Sequence, residues 1–393
     1  MNVNKNYQNI ADSYLFSTIA KKVSEFAQKN PDKKIIKLGI GDVTLPLCKV
    51  VVNALKRASE EMGVKETFHG YGPEQGYDFL KSKIQSYYRS NHVALDNDEI
   101  FISDGAKSDL GNILDLFDVN NTVLVPDPVY PVYVDTNTMA GRKIVYIDAN
   151  AENNFLPLPD ESIKADIIYI CSPNNPTGAV YPAEILGEIA KLAISNNFLI
   201  LADEMYSKLV YEGDFVSMAS LPNMKEHVII VNGFSKTYAM TGWRLGYLLA
   251  DSRIVTNIMK VHQYSSTCSP TFIQKGMVAA IKKNETEADV QNMIKQFKLR
   301  RNVLINELNN IEKIKFVEPK GAFYALIDVS ATGLNGEEFA ARLLKDEHVA
   351  VVPVVSMGKD KVYDDYIRIS FAASEDNIRN GIRAIGRLAD SIK

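Results

Sequence analysis

Residues 198–236 read FLILADEMYSKLVYEGDFVSMASLPNMKEHVIIVNGFSK. Two short apolar runs, FLILA and HVIIV, each lead to a charged group: Asp203 directly after the first and Lys236 just beyond the second. An unbroken apolar run of this length, bounded by turn residues, is a strand covered on both faces. An acid at the end of such a strand is costly to bury without a cation. A lysine there is either paired or chemically used. The two lie 33 positions apart, about one strand–helix–strand unit. In a parallel sheet they therefore converge on the carboxyl edge, where open α/β sheets bind ligands.

Similar runs occur on both sides: EIFISDG (99–105), NTVLVPDP (121–128), KIVYIDA (143–149), ADIIYICSPN (165–174) and RLGYLLA (244–250). Amphipathic stretches alternate with them, such as AEILGEIAKLAISN (183–196), where apolar residues recur at three- and four-residue steps. This alternation predicts an α/β fold with a mostly parallel, seven-stranded sheet in a large domain over 48–285. A long charged helix, EADVQNMIKQFKLRRNVLINELNNI (287–311), opens a smaller α+β domain formed by 286–393 together with 1–47.

The 393 residues are 46% hydrophobic and 23% charged, with net charge −4, which is ordinary for a globular protein. That balance argues against a nucleic-acid or anionic-membrane surface. No apolar run approaches the roughly 20 residues needed to span a bilayer. The start, MNVNKNYQNIADSYLF, lacks a basic-then-apolar secretory pattern. Cys48, Cys171 and Cys268 are widely separated and odd in number, so they read as reduced thiols of a cytoplasmic protein, and no metal-ligand spacing is present.

The other strand ends carry further polar groups. Gly105-Ala106-Lys107 reads as a loop opening a helix, whose free N–H groups suit a phosphate; an ordinary glycine turn explains it equally well. Tyr130, between Pro128 and Pro131, can stack on a flat ring, although a packed core aromatic is the commoner reading. Asn175 in SPNNPTG (172–178) offers an amide, or marks only a rigid turn. Tyr206 follows Asp203 by three residues and on a helical turn sits beside it. Arg368, centred in the apolar YIRIS (366–370), requires an anion, either a structural carboxylate or a substrate's.

Together these groups suit pyridoxal 5′-phosphate. Lys236, next to Ser235, is the amine that joins its aldehyde carbon. Asp203 pairs with the pyridine nitrogen and keeps the ring an electron sink. Asn175 and Tyr206 hydrogen-bond the ring's phenolate oxygen. Arg244 and the helix start at Gly105–Lys107 hold the phosphate.

SPNNPTG, LADEMY (201–206), NGFSKT…MTGWRLGY (232–247) and YIRIS, in this order, resemble the fold-type I, class I aminotransferases across nearly the whole chain. Residues 1 to about 180 are similar to LL-diaminopimelate aminotransferases, in YLFSTIAKKV (14–23), IIKLGIGDVTLPL (35–47), TFHGYGPEQGYDFL (67–80), EIFISDGAKSDLGNILDLF (99–117) and DPVYPVYVDTNTMAGR (127–142). From about residue 200, FSKTYAMTGWRLGY (234–247), SSTCSPTFIQ (265–274) and GAFYALIDVS (321–330) resemble the aspartate and aromatic members. The resemblance implies a homodimer with shared active sites acting on amino acids and 2-oxo acids. Tyr71 and Glu74 then reach into the partner subunit's site, Tyr71 toward cofactor and substrate and Glu74 toward the distal ammonium of diaminopimelate. Tyr14, Lys107 and the backbone at Gly41 line the rest. Alternatives are a broader aspartate or aromatic aminotransferase, a pyridoxal phosphate oxidase or lyase on the same fold, and a non-catalytic sensor.

Overall fold

The computed structural model describes every residue except Asp12, Ile40, Glu161, Lys283, Ser356, Asp360, Lys361 and Lys393, and does not describe the side chains of Ala279, Lys282, Asn284 and Glu285. Among the described residues, thirteen strands follow in chain order: β1 (Ile36–Lys37), β2 (Ile100–Ser103), β3 (Thr122–Asp127), β4 (Lys143–Asp148), β5 (Ile167–Cys171), β6 (Leu199–Asp203), β7 (Val228–Gly233), β8 (Gly246–Leu249), β9 (Lys315–Phe316), β10 (Tyr324–Asp328), β11 (Val349–Ala350), β12 (Val352–Pro353) and β13 (Tyr366–Ser370).

The seven runs read from the sequence as strands are β2 to β8, and they form one seven-stranded sheet in the order β2-β8-β7-β6-β5-β3-β4. β3 to β7 pair in parallel, whereas β8 runs antiparallel to both β2 and β7. Period-2 alternation sends Leu124, Ile168, Ile200 and Ile230 to one apolar layer and Val123, Ile167, Leu201 and Ile229 to the other. Both faces are therefore dry, which is why these strands contain almost no polar residue before their last position.

One expectation is corrected. Between β6 and β7 there is no crossover helix; residues 204–227 are turns and a single short 3-10 segment, Met218–Ser220. This connection instead reaches across to the smaller lobe, where Tyr211 N–H donates to the Lys320 carbonyl at 2.8 Å and Val210 bridges Gly321. Buried Glu204 ties its return, accepting from the Ser217 hydroxyl at 2.8 Å and from Met218 N–H at 3.0 Å.

The second sheet is four-stranded and antiparallel, ordered β12-β13-β10-β9, and β1 pairs β11 beside it. Among the described residues, eleven α-helices accompany the strands: α1 (Leu15–Lys29), α2 (Lys49–Glu61), α3 (Asp78–Ser90), α4 (Ala106–Asn112), α5 (Pro131–Ala140), α6 (Ala183–Asn196), α7 (Ser252–Ser265), α8 (Thr271–Lys282), α9 (Asn284–Leu308), α10 (Gly336–Glu347) and α11 (Glu375–Ser391). α10 begins with a capping box, Asn335 with Glu338. α5 begins with Pro131 at its first turn, where a missing N–H costs nothing. The domain limits at 47/48 and 285/286 remain our proposal; α9 begins beside the second of them.

Candidate active site

The parallel strands stop level with one another. Cys171 at the end of β5 is in register with Asp203 at the end of β6, and Asp203 with Val231 near the end of β7. A cavity of about 910 Å³ lies beyond this edge, between the large sheet, the small sheet and α1. Lys236 Nζ enters it and donates to the Gly41 carbonyl. Burial first, then the nearby Arg368 and Arg244 charges, pull this amine down to about 8, against the pull of Asp42 and Asp203. Near neutral pH a useful fraction is thus the free, nucleophilic amine. In cofactor-free protein, the rate of pyridoxal phosphate incorporation, followed by absorbance, is expected to rise with pH and level off above about 8. A rate still climbing toward pH 10, as for an ordinary lysine of pKa about 10.4, would contradict this.

Asp203 is buried and accepts from the Tyr133 hydroxyl at 2.6 Å and from Met205 N–H at 3.0 Å. Burial raises its carboxyl from the ordinary range, opposed by those two donors and by Lys236. No arginine or lysine is paired with it among the described residues. The phenol of Tyr206 meets that of Tyr324 at 3.2 Å.

At the start of α4, Gly105 has φ +124°. A Cβ there would stand 2.6 Å from Arg244 Nη2 and one at Gly246 only 2.8 Å from the Gly105 Cα, so two glycines let this loop, β8 and the guanidinium close on one another. Arg244, itself at φ +54°, spends one N–H on the Thr241 carbonyl at 3.1 Å and is otherwise open to the cavity. Free N–H groups and a guanidinium facing one point form an anion cradle.

Arg368 lies in the middle of β13, paired with Leu326 of β10 and Val352 of β12, and is only 1% exposed. Its Nη1 donates to Asn175 Oδ1 at 2.8 Å and Nη2 to the Gly39 carbonyl at 3.4 Å. Among the described residues no carboxylate pairs with it; the groups around it include the neutral phenols of Tyr324, Tyr206, Tyr130 and Tyr14. A salt bridge within the small lobe is thereby excluded among those residues, leaving a buried cation facing a cavity.

A family model for aminotransferases of class I and II matches residues 33–385. The chain belongs to this aminotransferase family. The aminotransferase is 34% identical to the LL-diaminopimelate aminotransferase of Parabacteroides distasonis, over 98% of each chain. Against the enzyme of that name from Methanosphaera stadtmanae it is 46% identical, over 64% of each. Among solved structures, aspartate aminotransferase of Thermus thermophilus is similar at TM-score 0.89 and 28% identity, covering 99% of this chain and all of that one (100%). Fold-type I architecture and dependence on pyridoxal phosphate follow from the family.

The aminotransferase has the donors that cofactor needs: a lowered-pKa amine at Lys236, a buried acid without a cation at Asp203, and the glycine-lined cradle with Arg244. The structure brings Tyr14, Gly41, Ala106, Lys107, Tyr130, Asn175, Tyr206 and Ser235 to the same cavity. Tyr14 and Tyr130 share a hydrogen bond at 3.3 Å, and Lys107 Nζ lies 4.1 Å from the Tyr14 ring centre. Tyr71 and Glu74 are not among its lining residues. Tyr71 is 90% exposed, and Glu74 accepts from Gln263 Nε2 on the protein surface.

Three contributors escaped the sequence reading: Phe16, Tyr133 and Tyr324. Tyr133 was within reach, since it follows Tyr130 by three residues on α5 and so shares its face. Tyr324 sits two residues from the β10 partner of Arg368, a diagonal neighbour on the sheet. Phe16 meets Arg368 only through the tertiary placement of α1.

Proposed function

We propose that the protein transfers the amino group of LL-diaminopimelate to 2-oxoglutarate, giving glutamate and a keto acid that cyclises to tetrahydrodipicolinate. The observation that carries the transamination chemistry is Arg368, a buried guanidinium without an internal carboxylate, lining the same cavity as Lys236. It grips the α-carboxylate common to all amino and 2-oxo acid substrates. Lys236 Nζ takes the substrate's α-proton as general base and, once protonated, is the donor for its return. Asp203, steadied by Tyr133, would pair with the ring nitrogen, and the Nδ2 of Asn175 and the Tyr206 hydroxyl would hydrogen-bond the ring oxygen. Pyridoxal phosphate, when bound, supplies the electron sink for the charge left at the α-carbon.

The choice of donor is supported by the two diaminopimelate aminotransferases to which the chain is similar. In a homodimer, Glu74 would meet the distal ammonium from the partner subunit, a charge complement suited to a substrate with two amino acid ends. A second reading, an aspartate or aromatic aminotransferase, is favoured by the likeness to the Thermus enzyme and by the apolar cavity wall of Phe16, Ile19 and Val23 on α1.

One assay separates them: LL-diaminopimelate, aspartate and phenylalanine compared as donors to 2-oxoglutarate, in the parent and in Glu74→Gln. Diaminopimelate should be preferred, and the substitution should cost it roughly thirtyfold in kcat/KM, the about 2 kcal/mol typical of breaking a desolvated charge pair. Preference for aspartate or phenylalanine, unmoved by the substitution, would establish the second reading.

A further inference from the structure

We infer that Phe16 is a positioning residue for substrate carboxylates: with Tyr324 it packs on the Arg368 guanidinium and holds its N–H edge toward the cavity. The inference rests on the assignment of the α-carboxylate to Arg368. The guanidinium carbon lies 4.7 Å from the Phe16 ring centre and 4.3 Å from that of Tyr324. Both distances fall within the range in which a ring face attracts a cation, most strongly when the cation has lost its water. Arg368 has lost its water, being 1% exposed, and gains only neutral hydrogen bonds in exchange, to Asn175 and Gly39. The rings therefore stand in for the counter-charge until a carboxylate arrives. With two rings packed close to its carbon, the guanidinium keeps its N–H edge, the planar fork that matches a carboxylate, for a ligand.

The two rings are held differently. Tyr324 is part of β10, fully buried, and fixed by its bond to Tyr206. Phe16 belongs to the first turn of α1, a 15-residue helix in which only Val23 is buried. The entry of that helix is pinned over the site by Tyr14, through its bond to Tyr130 and its edge-on contact with Phe16 at 5.4 Å. Carboxylate affinity is thus tied to a contact made by a lightly anchored helix.

The test uses the holoenzyme of Phe16→Ala, Phe16→Leu, Phe26→Ala and Arg368→Lys. Phe26 lies on α1 near its far end, against the His348 ring, and is not among the residues lining the cavity. Phe16→Ala should raise the KM for amino donor and 2-oxo acid alike by about tenfold, the loss of one desolvated cation–ring contact, with kcat within about threefold. Inhibition by succinate, a dicarboxylate with no amine, should weaken by the same factor. Phe16→Leu should regain thermal stability without regaining KM, and Phe26→Ala should lower stability without changing KM. A parental KM in Phe16→Ala overturns the inference, as does full recovery by leucine or an equal KM rise in Phe26→Ala. If Arg368→Lys keeps the parental KM, the carboxylate assignment itself falls and the role of Phe16 falls with it.

Discussion

Lys236→Ala is expected to lower transamination by more than about ten-thousandfold, because it removes the amine proposed both as general base and as the cofactor's tether. The fold should survive. Lys236 follows β7 rather than lying in it, and burial disfavours its charge; its interactions with Asp42 and Asp203 are not close ion pairs among the described residues, so truncation mainly relieves a desolvated group. Its hydrogen bond goes to the carbonyl of Gly41, an exposed position that water can reach. The phosphate cradle at Gly105 and Arg244 is untouched, so the cofactor should still bind, though it will be lost on dialysis more readily. The measurements are single-turnover rates of amino transfer and a thermal unfolding curve. Turnover within tenfold of the parent would remove Lys236 from the mechanism.

The second large effect is expected from Asp203→Asn. Here the shape is kept and only the charge is lost. Met205 N–H and the Tyr133 hydroxyl donate to different oxygens of Asp203; an amide keeps one acceptor for Met205, and the Tyr133 hydroxyl can turn to accept from the amide N–H, so packing at the end of β6 should change little. An amide cannot hold a ring nitrogen in its protonated form as a carboxylate does, and the electron sink weakens accordingly. We expect kcat to fall at least a thousandfold, about 4 kcal/mol of barrier, with a shifted absorption band of the bound cofactor and a KM within a few-fold. A loss of less than fivefold would mean that Asp203 has only a structural task. Burial raises the Asp203 carboxyl in the bare chain. Occupation of the site should reverse this, since a cation brought against it favours the carboxylate.

What could be read in advance follows a physical division. All seven strands of the large sheet were legible, because strands buried on both faces carry an unmistakable apolar run. Asp203 and Arg368 stood out as charged residues inside apolar strands and Lys236 and Asn175 as polar residues just beyond strand ends, and the structure brings all four to one cavity. The reversed direction of β8 was not legible, since an apolar run reads the same both ways. Nor was the missing helix between β6 and β7, where spacing matched a crossover but the chain was needed as a bridge to the small lobe. Phe16 and Tyr324 look like any core aromatic until Arg368 is set between them. The roles expected of Tyr71 and Glu74 require a partner subunit, and one chain places them only on its own surface.

The antiparallel pairing of β7 with β8 has one more consequence. The two strands form a hairpin, with Gly233 opposite Gly246, and both Lys236 and Arg244 lie in the connection between them. The groups assigned to opposite ends of the cofactor, its aldehyde carbon and its phosphate, are thus carried by a single loop whose ends are clamped by a sheet. Both proposed anchors therefore start from one hairpin of the large sheet, so their backbone spacing does not depend on how the two lobes are disposed.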